Sequence, residues 1–86
     1  MKTRFELLEK VWYIYRSMGG WKRSNVCRVV RIILDTQSYS HSFLYTLEKR
    51  RTGRYTTLIR ETRIYDSWQE ARNHAAKLNA VEEAKR

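Results

Sequence analysis

Eighty-six residues, 42% hydrophobic and 13% aromatic, make one small folded domain rather than a disordered tail, and a charged fraction of 31% keeps such a domain in solution. No apolar run approaches the roughly 18 residues of a membrane span and no secretory leader follows the first basic residues, so the chain reads as a cytoplasmic single domain over residues 1–86. Eighteen Lys and Arg against nine acids leave a net charge of +9 and a pI of 10.1, the electrostatic footprint of a protein that meets an anionic polymer, above all nucleic acid.

Met1 to Arg16 carries two signals. Thr3 followed by Glu6 is a capping-box pattern and Gly19-Gly20 would stop a helix, which permits a helix from Arg4 to Met18. Val11-Trp12-Tyr13-Ile14-Tyr15 is a β-branched and aromatic cluster that suits a strand better. Strand is the favoured reading and helix the alternative.

Ser17 to Asn25 reads as a turn and loop in which Gly19-Gly20 supplies positive φ and Trp21 folds back on the sheet. Lys22 and Arg23 then sit at an exposed bend, where they would contact phosphates. Val26 to Thr36 is the clearest strand, with Val26, Arg28, Val30, Ile32 and Leu34 on one face and Cys27, Val29, Arg31, Ile33 and Asp35 on the other. Apolar residues on both faces call for cover on both sides. One C-terminal helix covers one face, so the other must meet the N-terminal segment, a second copy in a homodimer, or a partner. Cys27, the single cysteine, is expected to be a buried inert thiol in a reducing compartment.

Gln37 to Ser42 is a polar loop that either touches a ligand or merely connects, and Phe43 to Lys49 alternates as a strand. Lys49-Arg50-Arg51-Thr52-Gly53-Arg54 sets four cations around a glycine-containing hairpin turn, chemistry that lets a loop tip reach a phosphate backbone. A last strand, Tyr55 to Tyr65, places Arg60 and Arg63 on opposite faces. Ser67 as N-cap with Glu70 three residues on opens an amphipathic helix that turns Trp68, Ala71, Ala75 and Leu78 to one side and frays past Asn79. Trp68 is expected to plug the end of the core.

His41, His74 and Cys27 lack the spacing of a zinc site, and no phosphate-binding glycine loop or nucleophile motif is present. No cofactor, metal or enzymatic activity is expected. Tyr13, Tyr15, Tyr45 and Tyr55 interleave with Arg16, Arg54 and Arg60, a mixture that stacks unpaired bases or fills a protein interface.

From Phe43 onward the order is strand, basic glycine turn, strand, then Tyr65, Ser67, Glu70 and Ala71 opening a helix. This stretch resembles the three-stranded-sheet-plus-helix DNA-binding modules of integrase N-terminal domains and plant ethylene-response-type domains. The resemblance implies a sheet laid in the major groove, with contact roles for Arg50, Arg51, Arg54 and Arg60. A helical first segment would instead give an order similar to double-stranded-RNA-binding domains, although the basic cluster of their second helix is missing here.

The expected fold is α+β, an antiparallel sheet of three to four strands packed on one C-terminal helix. The expected function is non-enzymatic binding of duplex DNA through Lys22, Arg23, Lys49, Arg50, Arg51, Arg54 and Arg60. The alternative is a small phage or mobile-element protein, anti-CRISPR-like, that inhibits a host nuclease or nucleoprotein defence complex.

Overall fold

Lys10–Ser17 forms strand β1 in the computed structural model, which describes residues 2–36 and 42–85. The helical signal upstream is spent in a single turn. Glu6 N–H donates to the Glu9 carboxylate at 3.0 Å, Glu9 N–H donates to the Glu6 carbonyl at 3.2 Å, and Leu8 adopts a left-handed φ of 68°, which no helix can continue. The strand reading of this segment is therefore the one realised.

Gly20, at φ 104°, reverses the chain into β2, Gly20–Arg23, which pairs antiparallel with β1 from Ile14↔Arg23 to Ser17↔Gly20. The ladder runs on through Ser24, whose N–H donates to the Tyr13 carbonyl at 2.8 Å and whose hydroxyl accepts the Tyr13 N–H at 3.0 Å. What looked like a loop is thus an edge strand, and Lys22 and Arg23 lie within it rather than at a bend.

Strand β3, Cys27–Leu34, pairs with β4, Phe43–Lys49, and with the start of β1 at Lys10↔Arg28 and Val11↔Cys27. Its register jumps between Val29↔Leu47 and Arg31↔Thr46, leaving Val30 as an extra residue in a β-bulge. The bulge inverts the expected alternation. Before it Cys27 and Val29 face the core; after it Ile32 does, while Arg31 and Ile33 cross to the face that already carries Arg28. The strand also begins one residue later and ends two earlier than read.

The expected strand from Tyr55 to Tyr65 is broken into pieces. Tyr55 bridges Glu48, and the Thr56 N–H donates to the Leu47 carbonyl at 2.8 Å while the Thr56 hydroxyl accepts the Leu47 N–H at 3.0 Å. That hydroxyl stands in for a backbone carbonyl, so the ladder lapses and resumes only at β5, Ile59–Arg60, beside Tyr45 and Leu44. A 3-10 turn, Glu61–Arg63, then lifts the chain off β4 and delivers β6, Ile64–Tyr65, to Tyr13 and Trp12 of β1. The sheet order is β2-β1-β3-β4-β5 with β6 on β1, more strands than expected within the same α+β class.

Among the described residues two clusters form the core. On the inner face Phe5, Val11, Cys27, Val29, Tyr45, Leu47 and Ile64 pack together, with Phe5 edge-on to Tyr45 at 5.6 Å between ring centroids. Phe5 thereby fastens the N-terminal segment over the sheet, which is what covers that side of β3. Removing its ring would cost about 3–5 kcal/mol. On the opposite face Trp12, Ile14 and Tyr65 meet Ala71 and Ala75 of helix α1, Trp68–Ala84. The two alanines let the helix approach closely, and the Ser67 hydroxyl caps it by accepting the Glu70 N–H at 3.3 Å.

The helix covers only the β1, β2 and β6 portion of its face. Its far end is anchored rather than frayed: Asn79 Oδ1 accepts the Trp21 N–H at 2.7 Å, Asn79 Nδ2 donates to the Trp21 carbonyl at 3.0 Å, and Glu82 pairs with Arg16 at 3.2 Å. Trp68 does not plug the core. It is 39% exposed at the helix start, flanked by the guanidinium groups of Arg23 and Arg72 at 4.5 and 5.4 Å from its ring.

Candidate nucleic-acid interface

The β3-β4-β5 half of the helix-bearing face lies beyond the helix, and strand pairing sets its side chains in rows. Lys10, Arg28, Glu48 and Tyr55 make one row; Arg31 and Thr46 the next; Ile33, Leu44 and Arg60 the third. Lys10, Arg28, Arg31, Tyr55 and Arg60 are exposed, while Ile33 and Leu44 are half-buried. In an unbulged strand Arg28 and Arg31 would oppose each other across the sheet, so Val30 is what gathers the cations. The one acid in these rows, Glu48, accepts from Arg28 Nε at 2.7 Å, and the pair neutralises both charges. Among the described residues the other cations of the face have no ion-pair partner, which leaves it strongly positive.

The hairpin tip adjoins the first row. Gly53, at φ 70°, donates its N–H to the Lys49 carbonyl at 2.7 Å, and Lys49 N–H donates to the Arg54 carbonyl at 2.8 Å. The turn therefore presents Arg50, Arg51 and Arg54 to solvent as expected. Lys49 and Arg51 also border a cleft on the inner side of the sheet, facing Tyr13, Tyr15 and the buried Cys27 thiol. Burial pushes the Cys27 thiol up, and its Sγ donates to the Asn25 carbonyl at 3.3 Å. Burial likewise raises the Tyr13 phenol, against the opposing pull of the Lys49 ammonium.

The sequence-predicted cations divide among four places. Arg50 and Arg54 stand at the tip, Arg60 on the sheet face, and Lys49 and Arg51 at the cleft. Lys22 and Arg23 are remote from the face, on the far edge strand, with Arg23 committed to Trp68. Arg63 leaves the sheet with the 3-10 turn and lies 4.1 Å above the Trp21 ring. Of the expected aromatics, Tyr45 belongs to the core and Tyr55 to the surface. Strand alternation alone does not bring Arg28 and Arg31 together with Lys10, because only the bulge puts the two arginines on one side.

The polar loop read at Gln37 to Ser42 lies, apart from Ser42, outside the described residues, as does His41. Among the described residues no group of three or more His, Cys, Asp or Glu is placed to hold a metal, and no helix is long and apolar enough to cross a membrane. Compared with known protein families, curated proteins and solved structures, the chain matches none.

Proposed function

We propose that the protein is a non-enzymatic module that binds duplex DNA, with the β3-β4-β5 face laid against the duplex and the basic hairpin tip on an adjacent phosphate strand. The observation that carries this reading is the bulge at Val30, which aligns Arg28 and Arg31 with Lys10 and Arg60 on one exposed sheet face. Three neighbouring strands span about 10 Å, and the B-form major groove is about 12 Å wide. The face therefore fits the groove. Arg31, Arg60, Arg50 and Arg54 supply phosphate and base-edge donors, and Thr46 a hydroxyl within the same surface. Duplex RNA, whose major groove is deep and narrow, fits this face less well.

Fluorescence anisotropy against labelled duplex DNA, single-stranded DNA and duplex RNA, each at two salt concentrations, tests the proposal. Salt-sensitive binding with duplex DNA preferred is the expected result. Equal binding at both salt concentrations would overturn it.

A further inference from the structure

The cleft between the hairpin tip and β1 has a volume of about 390 Å³, within the size range of small-ligand sites. Its two walls differ in chemistry. Lys49 and Arg51 line one, and no acid is among the described residues that line the cleft; Tyr13 and Tyr15 line the other, their ring centroids 5.8 Å apart and tilted by 47°. Tyr15 is 40% exposed although it is a large aromatic in a strand, and it lines the cleft, so its phenol ring is open to a ligand there. Asn25 and Thr52 add an amide and a hydroxyl at the rim, both on exposed residues. Such a site recognises an anion joined to a flat ring: paired cations fix the charge, and an uncovered phenol ring stacks the plane.

We infer that the cleft takes a nucleoside 5′-phosphate unit, its phosphate on Lys49 and Arg51 and its base against Tyr15. A paired base within a duplex is already stacked and cannot enter. The unit is therefore either a free nucleotide or an unpaired nucleotide of a longer strand. The register Val11↔Cys27↔Lys49 places the cleft on the inner side of the sheet, opposite Arg28 and Glu48, so this inference does not need the duplex reading to hold.

The test is a titration of the ¹⁵N-labelled full chain, followed by amide chemical shifts, with AMP, adenosine and inorganic phosphate at constant ionic strength. AMP is expected to give saturable shifts at Tyr15, Ser24, Arg51 and Thr52, and to bind at least ~10-fold more tightly than adenosine or phosphate, because only AMP engages both walls. Tyr15→Ser and, separately, Arg51→Gln should each weaken AMP about 10-fold; neither residue belongs to the core, and Arg51→Gln leaves the sheet untouched. AMP shifts absent from the cleft, or AMP affinity unchanged in both variants, would overturn the inference.

A second arm separates the two sources. Preference for a duplex with a one-nucleotide 3′ overhang over a blunt duplex, lost in Tyr15→Ser, supports the strand-borne nucleotide; AMP binding with no overhang preference supports the free one. Weakened blunt-duplex binding in an Arg31→Gln/Arg60→Gln protein, with AMP binding intact, supports the cleft as a site separate from the sheet face; AMP binding lost in that variant would count against it.

Discussion

Neutralising Arg31 and Arg60 together should flatten the salt dependence of DNA binding by a calculable amount. The sheet face and the outer side of the hairpin tip present five exposed cations with no ion-pair partner among the described residues, namely Lys10, Arg31, Arg60, Arg50 and Arg54; Arg51 is counted with the inner cleft it borders, and Arg28 is discounted because Glu48 holds it. If each neutralises one phosphate, the slope of log affinity against log salt is about −4.5, and affinity falls ~500-fold between 50 and 200 mM salt. Arg31→Gln/Arg60→Gln leaves three contacts, a slope of about −2.7 and a ~40-fold fall over the same range. Both side chains are exposed, so the melting temperature should move little. The assay is anisotropy at four salt concentrations on one duplex, with Arg16→Gln as the control, since Arg16 is paired with Glu82 beside the helix. An unchanged slope in the double variant, or an equal reduction in the control, would refute the assignment of the face and leave only the net charge.

The remaining predictions concern the fold. Leu8 sits at φ 68° with its side chain exposed, so Leu8→Gly should relieve backbone strain without losing packing and raise stability by about 0.5–1 kcal/mol, measured by urea unfolding. Ser67→Ala removes the acceptor of the Glu70 N–H and should cost about 1 kcal/mol, read as a melting temperature lower by roughly 5 °C. The Tyr45 phenol is pushed up to about 12, by burial first and then by donating its proton to the Glu61 carboxylate. Folding thus favours the neutral phenol. The stability this confers is full below the ordinary tyrosine value of 10.0 and is lost as pH rises toward about 12. The loss should reach roughly 2–3 kcal/mol. Tyrosinate absorbance and far-ultraviolet dichroism should change together at high pH, and Tyr45→Phe should uncouple them.

Elements specified by their own residues were legible in the chain. Phe43 to Lys49 alternates without interruption and becomes β4 over those bounds, and Ser67 with Glu70 marks the helix start because the capping bond is local. The tip of the hairpin followed from Gly53 for the same reason. What escaped depends on distant partners. Nothing around Val30 announces a bulge; it arises from the pairing of β3 with β4, and with it goes the knowledge that Arg28 and Arg31 share a face. The strand after the hairpin is interrupted by the Thr56 hydroxyl bonding across to Leu47, which no periodicity within Tyr55 to Tyr65 reveals. Trp68 looked like core by its spacing from Ala71 and Ala75, but it lies at the start of the helix and gains cationic neighbours instead of cover.

The Asn79 side chain has a consequence for how the molecule behaves in a crowd of its own copies. A sheet that ends in an unsatisfied row of peptide groups offers a template on which another chain can add a strand. At Trp21 the primary amide of Asn79 imitates a neighbouring peptide, accepting the N–H and donating to the carbonyl, so the helix closes the β2 margin with a side chain instead of a strand. The opposite margin, β5, is only two residues long before the chain turns away. The domain thus guards one border by mimicry and the other by brevity. A protein losing the last turns of its helix would bare the β2 border and become prone to assemble edge to edge.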